Sequence, residues 1–367
     1  MDVAEHFCSN PDCPTVGLKG QGNLKVHVKA EGRLRCKVCR KTFTITKLTP
    51  FYALKSDSAL VTLVLTLLAW GCPVQAVVRA YSLDERTVAS WLEKAGTHTH
   101  QIHHSLVVAG KLDLQQVQAD EIYLKGVKFR AWMGLAVMVS TRLWLGGVVS
   151  HKREKALANE LMQLVVCCCH LFAVVLIAVD GWKAYPKAIL KEFRSPNPIP
   201  SGKRGRPALI RWPGLMIAVM IKHKANGRLV EVERRILKGE AEEVAYQIAA
   251  SGGGYTINTS YIERLNATFR QRLAVLVRRT RNASHKLERI ERAMWFIGTV
   301  YNFCQPHLTL RRHHWQATGG KWMEFSPAMA SGLSEHIWSI EELLWYKVAP
   351  PPYVPPKKRG RPPKIKS

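Results

Sequence analysis

Residues 172–179 read FAVVLIAV and lead directly into Asp180, and this apolar run constrains the fold more than any other stretch of the chain. A strand that does not alternate is buried on both faces, which is typical of a parallel sheet covered by helices. Open α/β sheets bind ligands at the carboxyl ends of such strands. Asp180 is therefore a candidate site residue, although an aspartate there also suits the N-cap of the helix predicted over residues 183–193.

The preceding residues predict three strands in a meander. Residues 117–124 alternate in polarity, and residues 129–138 and 142–149 have similar strand composition. A helix over residues 154–171 separates them from the apolar strand. A meander followed by a helix and an adjoining buried strand is the order that a ribonuclease-H-like fold needs. We therefore predict an α/β ribonuclease-H-like core, a mixed sheet with flanking helices, over residues 116–312.

Asp120 and Glu121 fall in the middle of the first predicted strand. Because side chains alternate along a strand, we expect these two acids to point to opposite faces, with one at most facing a given site. A carboxylate inside an apolar strand is costly without a partner or a cation. A solvent-facing position on an edge strand suits Glu121 better than Asp120, so Asp120 is the candidate ligand.

Residues 260–281 predict a helix in which Glu263 is the only acid among six arginines. Glu263, Asn266 and Arg270 fall on one face of this helix. A single carboxylate among arginines suits a cation held beside phosphates. The alternative is a capping box, in which Glu263 reaches back to the Ser260 amide.

Four of the nine cysteines have metal-ligand spacing. Cys8 and Cys13 form a CxxxxC pair, and Cys36 and Cys39 form a CxxC pair. Two such pairs across a short, turn-rich stretch predict a structural zinc ribbon over residues 1–50, because four thiolates suit tetrahedral Zn²⁺. The alternatives are unpaired thiols, or substitute ligands drawn from two nearby histidines. Those histidines are His6 and His27.

Residues 56–96 predict a helix-turn-helix domain. Helices over residues 59–70 and 74–81 precede a capping box that begins at Ser82 and opens a recognition helix. That helix presents Glu85, Arg86, Thr87 and Ser90 to a major groove. A plain three-helix packing module is the alternative. Residues 97–115, with a histidine cluster, read as a solvated linker or, less simply, as a metal site.

The charge balance favours a polyanionic partner. Lys and Arg number 54 against 27 acids, a formal net charge of +27, which points to double-stranded DNA. Gly-Arg-Pro occurs both in the basic loop 195–212 and in the tail 347–367, which we expect to be disordered without DNA. Both copies resemble AT-hooks, whose arginines enter a narrow minor groove. The arginines concerned are Arg204, Arg206, Arg359 and Arg361.

Two apolar stretches are candidate membrane spans, over residues 59–78 and 161–179. Both are interrupted by polar residues or by glycine and proline, so we expect no membrane association. The first residues lack the form of a signal peptide. These features predict a cytoplasmic, nucleoid-associated protein.

The motifs in order resemble the bacterial insertion-sequence transposases of the insertion-sequence-one type, which are DDE enzymes. The resemblance spans residues 8–312 and includes CKVCRKTF, QADEIYLKG, VLIAVDGWKAY, YIERLNATFRQRL, RRTRNAS and YNFCQPHLTLR. It implies that Asp120, Asp180 and Glu263 are the catalytic triad and hold Mg²⁺ or Mn²⁺. It also implies that Arg270 contacts the DNA end, and Arg278 and Arg279 are further candidate DNA contacts.

This resemblance implies Mg²⁺-dependent cleavage and strand transfer at the terminal inverted repeats of an insertion sequence, by at least a homodimer on DNA. The hook-bearing loop and a hairpin predicted around residues 225–227 depart from the pattern, as does an extension over residues 313–346. Two alternatives remain: a structure-specific nuclease of the same fold, and a DNA-binding regulator derived from an inactive transposase.

Overall fold

A computed structural model describes residues 2–197, 207–277, 284–313 and 322–355. The chain divides into two compact units. One combines residues 1–56 with residues 345–367, and the other spans residues 57–344.

The smaller unit is built on a three-stranded antiparallel sheet. Its strands are β1 (Leu24–Val28), β2 (Arg33–Cys36) and β3 (Thr42–Thr44), in that order. Leu24 and Leu34 are buried against the cysteines, so this unit has only a small apolar core.

The C-terminal segment is part of this small core. The Tyr353 side chain packs against the cysteine cluster, and the ring of Trp345 lies 4.7 Å from that of Phe51. The Lys347 ammonium lies 3.3 Å from His6 Nδ1, and burial lowers the pKa of Lys347 to about 8. The prediction of a disordered tail from residue 347 is therefore wrong at Tyr353, because this side chain packs against the cysteine cluster.

Three helices begin the larger unit. They are α1 (Ser58–Ala69), α2 (Val74–Ala80) and α3 (Glu85–His103). The N-cap of α3 is Asp84, whose carboxylate accepts hydrogen bonds from the amides of Arg86 and Thr87 at 2.8 and 3.3 Å. The predicted capping box from Ser82 to Glu85 is wrong, because the helix begins only at Glu85 and Asp84, not Ser82, is its N-cap.

Helix α3 continues through the predicted linker. Its last turns bury His98 and His103, and a π-helical turn over His104–Val108 follows. His103 Nε2 lies 3.0 Å from the Leu145 carbonyl oxygen, and burial lowers the pKa of His103 to about 3. The solvated linker over residues 97–115 is therefore a wrong prediction, because His98 and His103 are buried and the rings of His100 and His103 pack against Trp295 and Trp144.

A six-stranded mixed sheet forms the centre of the larger unit. Its strands are β4 (Gln115–Lys125), β5 (Arg130–Met138), β6 (Trp144–Ser150), β7 (Val175–Asp180), β10 (Leu215–Ala225) and β11 (Arg228–Lys238). Their order is β11-β10-β7-β4-β5-β6. β4, β7 and β10 are parallel, while β5, β6 and β11 are antiparallel to their neighbours. The predicted meander and the predicted hairpin around residues 225–227 are confirmed.

Helices flank both faces of this sheet. They are α4 (Lys155–Cys168), α5 (Ala184–Glu192), α6 (Ala241–Ala250), α7 (Ser260–Arg272) and α8 (Leu287–Phe303). A Cβ added at Gly134 would meet two leucines of α4, and a Cβ added at Gly147 would meet Met294 of α8. Because these glycines lie on opposite faces, α4 and α8 cover opposite sides of the sheet.

Short elements complete the described chain. They are β8 (Arg194–Pro196), β9 (Leu209–Arg211), β12 (Arg312–His313), β13 (Trp322–Met323), α9 (Pro327–Ala330) and α10 (Ile340–Trp345). β8 pairs with β9, and so both ends of the predicted basic loop 195–212 are joined in a two-stranded ladder. Among the helices that the structure covers, none has both the length and the apolar character needed to cross a membrane.

Candidate functional site

The strand register places Asp120 and Asp180 side by side. β4 and β7 pair Ala119 with Val179, and each acid follows directly after its member of that pair. β7 and β10 pair Asp180 with Met220. Since neighbouring parallel strands align residue for residue, both carboxylates lie on the same face, at the point where β7 ends and β4 continues without it.

Helix α7 brings Glu263 to the same place. Asp120, Asp180 and Glu263 line one cleft of about 840 Å³, together with Lys222 and Thr259. The three acids that sequence analysis selected therefore share a single cavity, although 143 residues separate the first from the last.

Glu263 is not engaged in the predicted alternative, the capping box. The Ser260 amide donates instead to Asn258 Oδ1 at 3.2 Å, and the N-cap is Thr259. Glu263 Oε1 accepts a 2.8 Å hydrogen bond from the Thr259 hydroxyl and is ion-paired with Lys222. Burial acts to raise the pKa of Glu263, but the bonds from Lys222 and Thr259 lower it below its ordinary value.

Asn266, one turn further along α7, holds Asp120. Its Nδ2 donates to Asp120 Oδ2 at 2.8 Å, while its buried Oδ1 has no hydrogen-bond partner within the described part of the chain. Burial and the neighbouring Asp180 charge raise the pKa of Asp120 to about 6, and the Arg270 charge acts in the opposite direction. An acid that is this hard to ionise would be stabilised by a cation.

Glu121 differs from its prediction. It lies in a central strand with a side chain 2% exposed, and oxygens of Glu121, Asp120 and Asp180 lie within 4.8 Å of one another. The expectation that one acid at most reaches the site is wrong. The pleat does separate the two side chains, but Asp180 stands at the end of its strand, where carboxylates from both faces reach it.

The buried Glu121 carboxylate has two partners of its own. Oε1 accepts from Arg153 Nε at 2.5 Å, and Oε2 accepts from the Tyr185 hydroxyl at 2.9 Å. Burial and the Asp180 charge raise the pKa of Glu121 to about 7, although Arg153 lowers it. With both oxygens engaged, Glu121 is better suited to fixing Arg153 than to binding a ligand.

Arg153 connects this pair to the cleft. One of its terminal nitrogens lies 3.6 Å from Asp180 Oδ2, and its guanidinium group stacks on Trp132 and Trp182 at 5.2 and 4.5 Å from the ring centres. These contacts hold the Arg153 guanidinium group at the wall of the cleft in a defined orientation.

Sequence analysis did not assign Arg153, Lys222 or Tyr185 to the site. Arg153 follows β6 in the run SHKREK, where it looks like any surface cation. Lys222 falls in the predicted hairpin, which the sequence did not connect with the site. No local pattern marks Tyr185, because its role depends on a partner 64 residues away.

The four predicted zinc ligands also converge. Ligand atoms of Cys8, Cys13, Cys36 and Cys39 all lie within 4.8 Å of one another. The Sγ atoms of Cys8 and Cys39 are 3.6 Å apart, and those of Cys13 and Cys36 are 3.8 Å apart. Tetrahedral zinc with Zn–S bonds of about 2.3 Å requires sulfur separations of about 3.8 Å. The four cysteines thus form a possible metal site that fits structural Zn²⁺.

The Cys36 thiol of this cluster ionises more readily than an ordinary cysteine, because its pKa is lowered. Burial acts to raise the pKa of Cys36, but the backbone amides of Cys39 and Val38 and the neighbouring thiols lower it to about 7. Thiolates, not thiols, ligate zinc.

The candidate DNA-binding residues fall into two groups. Arg86 and Arg270 are exposed, and Thr87 is half-buried on α3. The remaining predicted DNA contacts lie outside the residues that the structure describes. These are Arg204, Arg206, Arg278, Arg279, Arg359 and Arg361.

The donor set of the cleft suits a hard divalent cation. Asp120 and Asp180 offer carboxylate oxygens from adjacent strands, and Glu263 lines the same cleft, where it is ion-paired with Lys222. Mg²⁺ and Mn²⁺ prefer such oxygen ligands and retain water in their remaining positions. Comparison of the chain with protein-family models and with curated proteins finds no match.

Proposed function

We propose that this chain is a DDE transposase. It would bind the terminal inverted repeats of an insertion sequence and catalyse divalent-metal-dependent DNA strand cleavage and strand transfer. The observation that carries the proposal is the convergence of Asp120, Asp180 and Glu263 on one cleft. Asp180 ends β7, and Asp120 lies in the adjacent parallel strand β4 where its pairing with β7 stops, so both acids lie at the carboxyl end of β7, where open α/β sheets bind ligands.

The arrangement of the sheet supports the same proposal. A ribonuclease-H-like core needs an antiparallel meander with a parallel strand added beside its first member, and β4, β5, β6 and β7 have this arrangement. The fold alone would not indicate an activity. It supports the proposal because Asp120 and Asp180 lie on the two central strands, β4 and β7, and line an open cleft.

In the proposed mechanism the three acids would hold the divalent ions. Ions bound there would activate the attacking water or 3′-hydroxyl and neutralise the leaving oxygen. Asn266 fixes the orientation of Asp120 through its 2.8 Å hydrogen bond. Arg270, which is close enough to lower the pKa of Asp120, would hold a phosphate of the DNA end.

DNA recognition would belong to other parts of the chain. Arg86 and Thr87 at the start of α3 would read base edges, and the zinc-bound cysteine unit would add a second contact surface. The basic stretches that contain Arg204, Arg206, Arg359 and Arg361 would enter A·T-rich minor grooves. Since an element has two ends, the active complex would contain at least two copies of the chain.

A cleavage and strand-transfer assay with paired terminal-repeat duplexes tests the proposal. We expect Asp120→Asn, Asp180→Asn and Glu263→Gln each to lower Mg²⁺-dependent cleavage by at least about 10³-fold, the scale of losing a catalytic charge, with DNA binding retained. Glu233→Gln, an acid on the β10–β11 hairpin, is the control. An acid whose variant still cleaves DNA is not part of the site.

The wild-type chain also distinguishes the alternatives. Cleavage of branched DNA alone would indicate a structure-specific nuclease, and DNA binding without any cleavage would indicate a regulator.

A further inference from the structure

The hairpin of β10 and β11 extends past the candidate active site. β7 ends at Asp180, which pairs with Met220, whereas β10 continues to Ala225. Over residues 221–235 the two strands pair only with each other, and most of these residues are exposed. This two-stranded segment, called here the ribbon, therefore begins where the catalytic cleft lies.

The two faces of the ribbon differ in charge. Register places Lys222, Lys224 and Arg234 on the same face as Met220 and Asp180, and that face has no acid among residues 221–235. We call it the basic face. The opposite face carries two acids that are already paired or flanked by cations, and its formal charges cancel. Those residues are His223, Arg228, Glu231, Glu233 and Arg235.

The basic face is continuous with the cleft. Lys222 and Lys224 both line the cavity that contains the three acids, and Lys222 is ion-paired with Glu263. Arg234 Nε donates to the Ile257 carbonyl oxygen at 2.9 Å, two residues before the N-cap of α7. Arg234 and Lys222 thus lie at the base of the ribbon beside the acids, and Lys224 continues the positive charge outward.

The shape of the ribbon suits an extended partner. It turns at Asn226 and Gly227, both with positive φ, which is the geometry of a tight hairpin that matches strand twist. A register shift after His223 leaves Val230 as an extra residue and increases the local twist. The Val230 side chain is 67% exposed, so the end of the ribbon is uncovered.

We propose that the basic face of the ribbon binds the backbone phosphates of the duplex DNA that leaves the catalytic cleft. The identity of the ligand rests on the proposed function, since DNA is the polyanion that a DDE site would hold. Lys222, Lys224 and Arg234 contact phosphates, which fixes the direction of the duplex without reading its sequence. Because the formal charges of the opposite face sum to zero, only the basic face of the ribbon contacts the DNA.

The salt dependence of DNA binding tests this inference. The full chain is titrated onto a fluorescent 40-base-pair duplex of arbitrary sequence, without divalent ions, over a series of salt concentrations. Each lost phosphate contact lowers the slope of log K against log salt by about 0.9. We expect this loss for Lys224→Gln and restoration of the slope by Lys224→Arg. Arg235→Gln, which removes the same charge from the opposite face, should leave the slope unchanged.

The inference is overturned if Lys224→Gln keeps the wild-type slope, if Arg235→Gln reduces it equally, or if the wild-type chain does not bind the duplex. Binding of poly-glutamate in preference to the duplex would also overturn it, since the basic face would then serve an acidic protein. These results are independent of cleavage. A Lys224-dependent slope without cleavage refutes the transposase proposal alone, and cleavage with a Lys224-independent slope refutes the ribbon contact alone.

Discussion

Asp120 lies in an environment that disfavours its ionised form. It is largely buried and stands beside Asp180, and the Asn266 side chain and the Glu121 backbone hydrogen-bond to it. Without a cation, its ionised form is disfavoured in the folded protein. A divalent ion bound beside Asp120 would stabilise its ionised form.

The consequence is a pH-dependent stability. The pKa of Asp120 is about 6 in the folded protein against 3.8 in the reference state, so the native state resists ionisation and loses stability as pH rises from about 4 to about 6. The full loss is roughly 3 kcal/mol at most. We expect Asp120→Asn to be more stable than wild type at pH 8 and to lose that advantage at pH 4, in urea unfolding without divalent ions.

Glu160→Gln, an exposed acid of α4, serves as the control for that comparison. An Asp120→Asn variant that is no more stable than wild type at pH 8 would show that Asp120 is not electrostatically strained. Added Mn²⁺ should stabilise wild type more than the variant, because ligand binding to the native state alone raises stability.

Individual residues were predictable where a local pattern marks them. Asp120 inside an apolar strand and Asp180 at the end of another are visible from alternation and hydrophobicity alone. Glu121 and Arg153 were not, because the ion pair that buries Glu121 joins positions 32 residues apart. A carboxylate such as that of Glu121 can be buried only with a partner, and the spacing of residues in the sequence does not reveal that Arg153 is this partner.

At the scale of elements, α3 shows how a helix end can be misplaced. Gly96 suggests a helix end, but it lies within α3, and a Cβ at that position would come within 2.2 Å of the Arg292 carbonyl oxygen of α8. The glycine is there because two helix backbones pack closely. A glycine can mark a helix end, but it can also lie within a helix where another backbone packs closely against it. The sequence alone does not distinguish the two cases, because the close packing is set by tertiary structure.

Gly96→Ala should therefore destabilise the protein, although alanine is the better helix former by about 1 kcal/mol. Overpacking against the α8 backbone costs roughly 1–3 kcal/mol and wins, because a helix backbone cannot move as a side chain can. Thr97→Ala, at the neighbouring exposed position, is the matched control. Equal or higher stability of Gly96→Ala in urea unfolding would contradict the close packing of α3 and α8.

The strands and most helices were easier to predict than their ends. The apolar run over residues 172–179 correctly indicated a central parallel strand, but β7 begins three residues later, at Val175. The sequence marks the hairpin around residues 225–227 only as a departure from the family pattern within residues 116–312. In the structure β10 is the next parallel strand of the main sheet, which no local pattern could indicate.

At the scale of the whole molecule, the two units differ in what holds them together. The larger unit buries a six-stranded sheet under helices, whereas the smaller one has a few apolar residues around four cysteines. A core that small does not stabilise a fold without a metal or disulfide bonds. The contribution of the C-terminal segment, through Tyr353, could not be predicted from a proline-rich, basic sequence.

Removal of zinc should therefore unfold the smaller unit alone. We expect Cys36→Ser to lose bound zinc and the ordered signals of residues 2–56 in a heteronuclear NMR spectrum, while the sheet of the larger unit stays folded. Cys72→Ser, a thiol outside the cluster, should retain both. A Cys36→Ser chain with normal zinc content and an unchanged spectrum would refute the zinc site.

The central claim is that Asp120, Asp180 and Glu263, and not the nearer Glu121, form the divalent-cation site. Titration of Mn²⁺ into zinc-loaded protein, followed by electron paramagnetic resonance, distinguishes the two sets of acids. The account predicts that Glu263→Gln weakens Mn²⁺ binding at least tenfold, while Glu121→Gln, whose carboxylate is committed to Arg153 and Tyr185, changes it much less. Wild-type affinity in Glu263→Gln together with loss of binding in Glu121→Gln would contradict it.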